Sequence, residues 1–155
     1  MDVQGVMTLE LQTRLKASRD LFEAGQVELA RSAASEVLKD ALAQADPSMQ
    51  GPALMALAQY DRVVGRFRRA IDTAQRAVRL FQLNGDIAGE ASALSLVAHS
   101  SSILGRDEEA VEAALLGVKL CAPLPPGPRQ VVAHNYLGVA YLWSRSIRQC
   151  GVVVA

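Results

Sequence analysis

The chain predicts an all-α solenoid of stacked helical hairpins, and three registers in the sequence carry that prediction. Glycine recurs at Gly25, Gly65 and Gly105, a 40-residue interval whose next step falls on Arg145. Alanine keeps step at Ala30, Ala70 and Ala110, with Cys150 in the fourth place, and again at Ala34, Ala74 and Ala114. A third register pairs a residue with a small neighbour at Ala17-Ser18, Leu57-Ala58, Val97-Ala98 and Leu137-Gly138. Self-similarity at a period of roughly 20 to 50 residues is the mark of a stack of supersecondary units.

Within each period the apolar spacing is helical, as at Leu54, Leu57 and Ala58 and then at Ala70, Ala74 and Ala77, so each unit is two helices parted by its glycine. The first unit is expected as helices near 7 to 23 and 27 to 43, turning at Gly25. The second is expected near 52 to 63 and 67 to 83, starting behind the prolines of DPSMQGP and turning at Gly65. The link LNGD then lets Gly85 close one helix and Asp86 open the next, giving a third unit near 87 to 103 and 107 to 121. Beyond the proline-rich APLPPGP, a seventh helix near 129 to 144 opens a fourth, incomplete unit. The expected chain is therefore one domain of about three and a half repeats, with units at about 7–43, 52–83, 87–121 and 129–155. All six prolines are placed between hairpins and none inside a helix. Glycine suits the turns because a left-handed residue often ends a helix, and alanine suits the crossings because helices approach to roughly 8 Å only where facing residues are small.

Composition narrows the function classes. Sixteen basic and sixteen acidic side chains cancel, so no global field draws the protein to nucleic acid or an anionic membrane. The opening MDVQGVMTLE carries no basic leader, and no apolar run approaches the roughly 18 to 20 residues that span a bilayer; a cytoplasmic location is expected. Cys121 and Cys150 are too few for a disulfide framework and too far apart for a C-x-x-C metal site, and His99 and His134 have no metal-like neighbours, so neither metal nor cofactor is expected.

LGVAY at 137–141 and GRFRRAIDTAQRAVRL at 65–80 resemble the first-helix signature and the turn and second helix of the tetratricopeptide repeat (TPR) family. The 40-residue spacing with a G-D linker, as in LNGDIAGEASALS, resembles a longer variant found in bacterial signalling proteins, including the sensory arms of diguanylate cyclases and of transcriptional activators. The resemblance covers nearly the whole chain and implies a superhelix whose first helices line a concave face. Two positions depart from it: Asp61 and Ser101 stand where the family usually buries an aromatic, and are either partner-facing or hydrogen-bonded in the interior. The family's clamp for a terminal carboxylate is not supported either, since the matching places hold Leu15, Arg19, Ala56, Ser92 and Leu96.

On that resemblance the groove is expected to present Arg19, Gln59 and His99 in one column, Phe22, Arg62 and Ser102 in the next, and Leu15, Met55, Ser95 and Asn135 in a third. Such a surface suits an extended or helical segment of a partner protein or peptide. A small-ligand or peptide-pheromone sensor is an alternative. No motif supports catalysis: Ser95, His99 and Ser102 share a helix face, but no glycine-rich elbow surrounds a serine and no third group orients the histidine.

The residue three after each glycine runs Glu28, Arg68, Glu108 and Arg148, and Arg69 stands beside Glu109 in the same sense. Alternating signs of this kind are expected to pair across neighbouring second helices and to fix their register. The arginines Arg62, Arg66, Arg68, Arg69, Arg76 and Arg79 are read as a solvated, internally paired face, with Asp72 at salt-bridge spacing from Arg68 and Arg76, and no aromatics interleave for stacking on bases.

The last unit ends in IRQCGVVVA, too short and too β-branched for a second helix. Its first helix would expose Leu137, Tyr141, Leu142 and Trp143. The tail could fold back over them, a longer architecture could continue the stack, or two chains could join there; the apolar set favours the homodimer, with structural self-association as an alternative function.

Overall fold

The computed structural model describes residues 2–125, together with Gly127 and Gly138. Among the described residues there are six helices and no strands: α1 (Val3–Glu23), α2 (Val27–Ala43), α3 (Pro47–Val63), α4 (Phe67–Asn84), α5 (Ile87–Ile103) and α6 (Asp107–Cys121). The expected seventh helix lies outside them, as do Asn135, Leu137, Tyr141, Leu142 and Trp143.

Each helix packs on its neighbours in sequence, which makes three hairpins stacked in chain order. In addition α1 meets α3 and α3 meets α5, whereas α2 and α4, or α4 and α6, stay out of backbone contact. The first helices of successive hairpins are thus closer together than the second helices, and the stack curves with α1, α3 and α5 on its concave side.

The turn glycines do what their period requires. Gly25, Gly65 and Gly105 have φ of 78°, 78° and 70°, in the left-handed region. In each case the following amide reaches back to a helix carbonyl, Gln26 to Leu21 at 2.9 Å, Arg66 to Asp61 at 2.8 Å and Arg106 to Ser101 at 2.9 Å, which satisfies groups the helix end would leave bare. Both alanine registers are buried at the crossings, from Ala30 and Ala34 through Ala70 and Ala74 to Ala110 and Ala114.

Two boundaries differ. α1 starts at Val3, not near 7, with Asp2 as its cap accepting from the Gly5 amide at 2.7 Å. α3 starts at Pro47, not at 52, so Pro52 lies inside a helix. Asp46 caps this helix, accepting from the Ser48 amide at 3.1 Å and the Ser48 hydroxyl at 2.6 Å, and Thr8 donates to its other oxygen at 2.7 Å. Pro47 sits in the first turn, where no amide hydrogen is needed. Pro52 removes a single bond, and the clash it would make with the preceding residue's Cβ is absent because that residue is Gly51.

Apolar packing is strung along the stack. One cluster joins α1 to α4 around Leu11, Leu15, Val37, Leu54 and Tyr60, and a second joins α3 to α6 around Ile71, Leu94, Val97 and Ala114. Met55 and Val78 pack against both and weld them together. The face of α1 that matches the α2-covered face of α3 is dressed for water, with exposed Thr13, Lys16 and Asp20 in place of buried Ala53, Ala56 and Tyr60.

The two open polar positions are interior. Asp61 is 1% exposed, and three guanidinium groups converge on it: Arg31 from α2 donates through Nε at 2.9 Å, while Arg66 and Arg69 lie at 3.6 Å. Ser101 is buried as well, with a hydroxyl that finds no hydrogen-bond acceptor among the described residues. The charge ladder is shifted from the expected one. Glu28 pairs at 2.7 Å with Arg66, the residue that precedes α4, and not with Arg68. Glu109 takes Gln75 at 3.0 Å and Arg106 at 3.5 Å, while Arg69 turns inward to Asp61. Asp72 joins no ion pair among the described residues, so the arginine face of α4 is less self-neutralised than its spacing predicts.

Candidate concave binding site

Four of the groove residues expected from sequence, Arg19, Phe22, Met55 and Gln59, line one cavity of about 560 Å³ on the concave side. They come from α1 and α3, on turns that the hairpin geometry brings level. The Phe22 and Tyr60 rings stack with centroids 4.6 Å apart and planes at 24°, forming an aromatic wall. That wall is held from behind. Ser18 donates to the Ala30 carbonyl at 2.8 Å, which commits its only proton, so the Tyr60 hydroxyl donates to Ser18 across 3.0 Å.

The cavity floor was not legible from the first helices alone. Phe81 belongs to α4, on the convex side, yet its ring reaches the cavity between α3 and α5. It passes there because both helices carry glycine at the crossing: a Cβ on Gly51 or on Gly89 would stand 2.5 Å from the ring. Pro52, Ala56 and Gly89 complete an apolar lining, Ser92 adds a hydroxyl that donates to the Ala88 carbonyl at 2.9 Å, and Arg19, Glu23 and Asp86 stand at the margin. Asp86 is occupied as the cap of α5, accepting from the Gly89 amide at 2.8 Å. Arg19 is exposed and makes no ion pair among the described residues.

Further along the groove, Arg62 donates through Nε to Gln59 at 3.2 Å, and its charge reaches His99 on α5. Burial and then the Arg62 charge push the His99 pKa below its ordinary value, so the imidazole is neutral at pH 7. Leu15, Ser95 and Ser102 are placed elsewhere. Leu15 is 3% exposed and belongs to the buried stripe of α1 with Leu11 and Ser18. Ser95 lies under the close crossing of α5 with α6 at Gly117, and its hydroxyl bonds to the Ala91 carbonyl at 3.0 Å. Ser102, where Phe22 and Arg62 stand in the earlier units, is too short to reach out and bonds to the Ala98 carbonyl at 3.0 Å. With Ser95 and Ser102 both turned onto their own helix, neither hydroxyl is poised as a nucleophile for His99.

No family model matches the sequence, and no curated protein matches it. Solved structures do. A Podosopora anserina protein assigned as a kinesin light chain, with nearly identical TPR-like repeats, superposes with a TM-score of 0.76 at 16% identity, covering 90% of this chain and 69% of that one. A single-substitution variant of it gives a TM-score of 0.77 at the same identity and coverage. The fold is TPR-like. At this identity the likeness concerns the backbone, and the TPR-like groove of this chain has its own lining. Among the described residues there is no group of three or more His, Cys, Asp or Glu side chains that could hold a metal ion, and no helix long and apolar enough to cross a membrane.

Proposed function

We propose that the chain is a single TPR-like interaction domain whose concave face holds a segment of another protein or peptide. The observation that carries this reading is the cavity itself: about 560 Å³ of largely apolar space beside a stacked aromatic pair, with Arg19 at its margin, exposed and in no ion pair among the described residues. A cavity of this size accepts more than one side chain of a bound segment, its apolar lining suits a large apolar residue, and Arg19 and Arg62 favour an acidic residue a turn or less away from it. We place the domain in a cytoplasmic signalling system of a bacterium, a setting supported by the 40-residue period and the G-D linker. No catalytic step, cofactor or nucleic acid enters this reading.

A random peptide library displayed on phage tests it. The intact protein is expected to enrich peptides with a leucine, methionine or aromatic residue within four positions of Asp or Glu. The double variant Arg19→Glu, Arg62→Glu is expected to lose that enrichment while keeping its helical circular dichroism. Enrichment that is absent from the intact protein, or indifferent to both substitutions, removes the concave site from the reading.

A further inference from the structure

The convex surface of the third hairpin differs from the other two at one adjacent pair of positions. Leu115 and Leu116 on α6 are 44% and 38% exposed. One period earlier these positions hold Gln75 and Arg76, and two periods earlier Ser35 and Glu36, all of them polar. Beside the leucine pair lies a groove of about 240 Å³ between α4 and α6, floored by Leu94 and Val97 of α5 and walled by Val78, Ala113 and Leu116. It stays open because the backbones of α4 and α6 stay apart. Single exposed leucines, such as Leu29, Leu42 and Leu83, need no explanation, but an adjacent leucine pair beside an apolar groove is a contiguous surface that another chain can cover.

The charges around it identify the occupant. The α4 wall carries Arg79, with Arg76 exposed beside it, and the α6 wall carries Glu109 and Glu112. Gln75 bridges to Glu109 at 3.0 Å, but no ion pair joins Arg79 to Glu112 across the gap. One patch therefore holds a leucine ridge, a groove that accepts such a ridge, a basic wall and an acidic wall. A surface that holds both halves of a fit matches a second copy of itself about a two-fold axis. We propose that two copies of the chain associate through this convex patch, each setting Leu115 and Leu116 into the other's α4–α6 groove and Arg79 against the partner's Glu112. The net charge of zero leaves no long-range repulsion to oppose the encounter.

Sedimentation equilibrium and light scattering of the full chain test this. A dimer is expected at about 100 μM, where an interface of micromolar affinity is saturated. Leu115→Ser with Leu116→Ser is expected to weaken it by roughly tenfold or more, without lowering the helical content. Arg79→Glu alone and Glu112→Arg alone each place two like-charged pairs in the contact and are expected to give monomers. Mixed together they are expected to form a heterodimer, because both pairs are then complementary. A monomeric wild type at that concentration overturns the proposal. So does a dimer that survives the single charge reversals, since its contact then lies elsewhere, as at residues 137–143.

Discussion

Position 45 offers a test of the fold with its own control built in. Ala45 is the one described non-glycine residue with positive φ, at 51°, and it stands 40 residues before Gly85, which has φ of 68° in the same turn. The bonds match too. Ala45 and Gly85 donate to Leu42 at 3.1 Å and Gln82 at 3.2 Å, and Asp46 and Asp86 donate to Ala41 and Phe81, both at 2.9 Å. A side chain in the left-handed region costs about 1 to 2 kcal/mol, and the greater freedom of glycine in the unfolded chain returns about 0.4 to 1 kcal/mol of that. Ala45→Gly should therefore stabilise by roughly 0.5 to 1 kcal/mol, and Gly85→Ala should destabilise by about as much. No atom lies within 4 Å of a Cβ added at Gly85, so the second effect is backbone strain and not crowding. For a chain of this size the melting temperature should move by about 1 to 4 °C, upward in one variant and downward in the other. Thermal unfolding followed by circular dichroism at 222 nm reads both. Shifts of the same sign, or none at Ala45→Gly, would refute the claim that these two turns are copies of one left-handed cap.

Asp61→Ala should cost about 1 to 3 kcal/mol in urea titration, less than a fully buried pair because Arg31, Arg66 and Arg69 can turn to water, and Arg31→Ala combined with it should add little further loss. Gly51→Ala drives a Cβ to 2.5 Å from the Phe81 ring and should destabilise by about 1 to 3 kcal/mol, with Phe81→Leu in the same chain recovering part of the loss. Because burial and Arg62 lower the His99 pKa in the folded state, the unfolded chain takes up the proton first as pH falls. The stability that this residue contributes is complete above its unfolded value of about 6.5 and is lost below it. The urea midpoint of the wild type should fall relative to that of His99→Gln between about pH 7 and pH 5, and parallel profiles would disprove the linkage.

The helix plan was legible because its signals recur. A glycine that ends one helix is weak on its own, but three at one interval fixed four of the six described helices to within a residue at both ends, and the other two, α1 and α3, at their C-terminal ends. What was misread had no local signal, or had one that pointed the wrong way. Pro52 reads as a breaker until Gly51 is seen to relieve its clash, and Ala45 hides a left-handed turn behind a residue that rarely adopts one. The groove was half legible. Assigning columns by period brought Arg19, Phe22, Met55 and Gln59 together, yet it could not tell that Leu15 and Ser95 tilt under a neighbouring helix. Nor could a reading confined to the first helices find Phe81, whose place depends on glycines on two other helices, Gly51 of α3 and Gly89 of α5.

Comparing equivalent positions shows how units of one design are kept in order. Position 61 holds an aspartate, and its counterpart at 101 holds a serine. The arginine that reaches Asp61 from the previous hairpin is Arg31, and its counterpart facing Ser101 is Ile71. Of the other two cations, Arg66 is matched by Arg106, but Arg69 is matched by Glu109. The acid and two of its three partners therefore differ together between the units, so that the contact around position 61 between the first and second hairpins is ionic and its counterpart around position 101 between the second and third holds no ion pair among the described residues. Stacking the third hairpin directly on the first would face Arg31 with Ser101 and leave Asp61 without its bonded partner, and an unpaired buried charge costs more than the pair gains. The same asymmetry shapes the concave face. Tyr60 has Ser100 as its counterpart and Phe22 has Arg62, so among the described residues the stacked aromatic pair is found at the first two hairpins and is not repeated at the third.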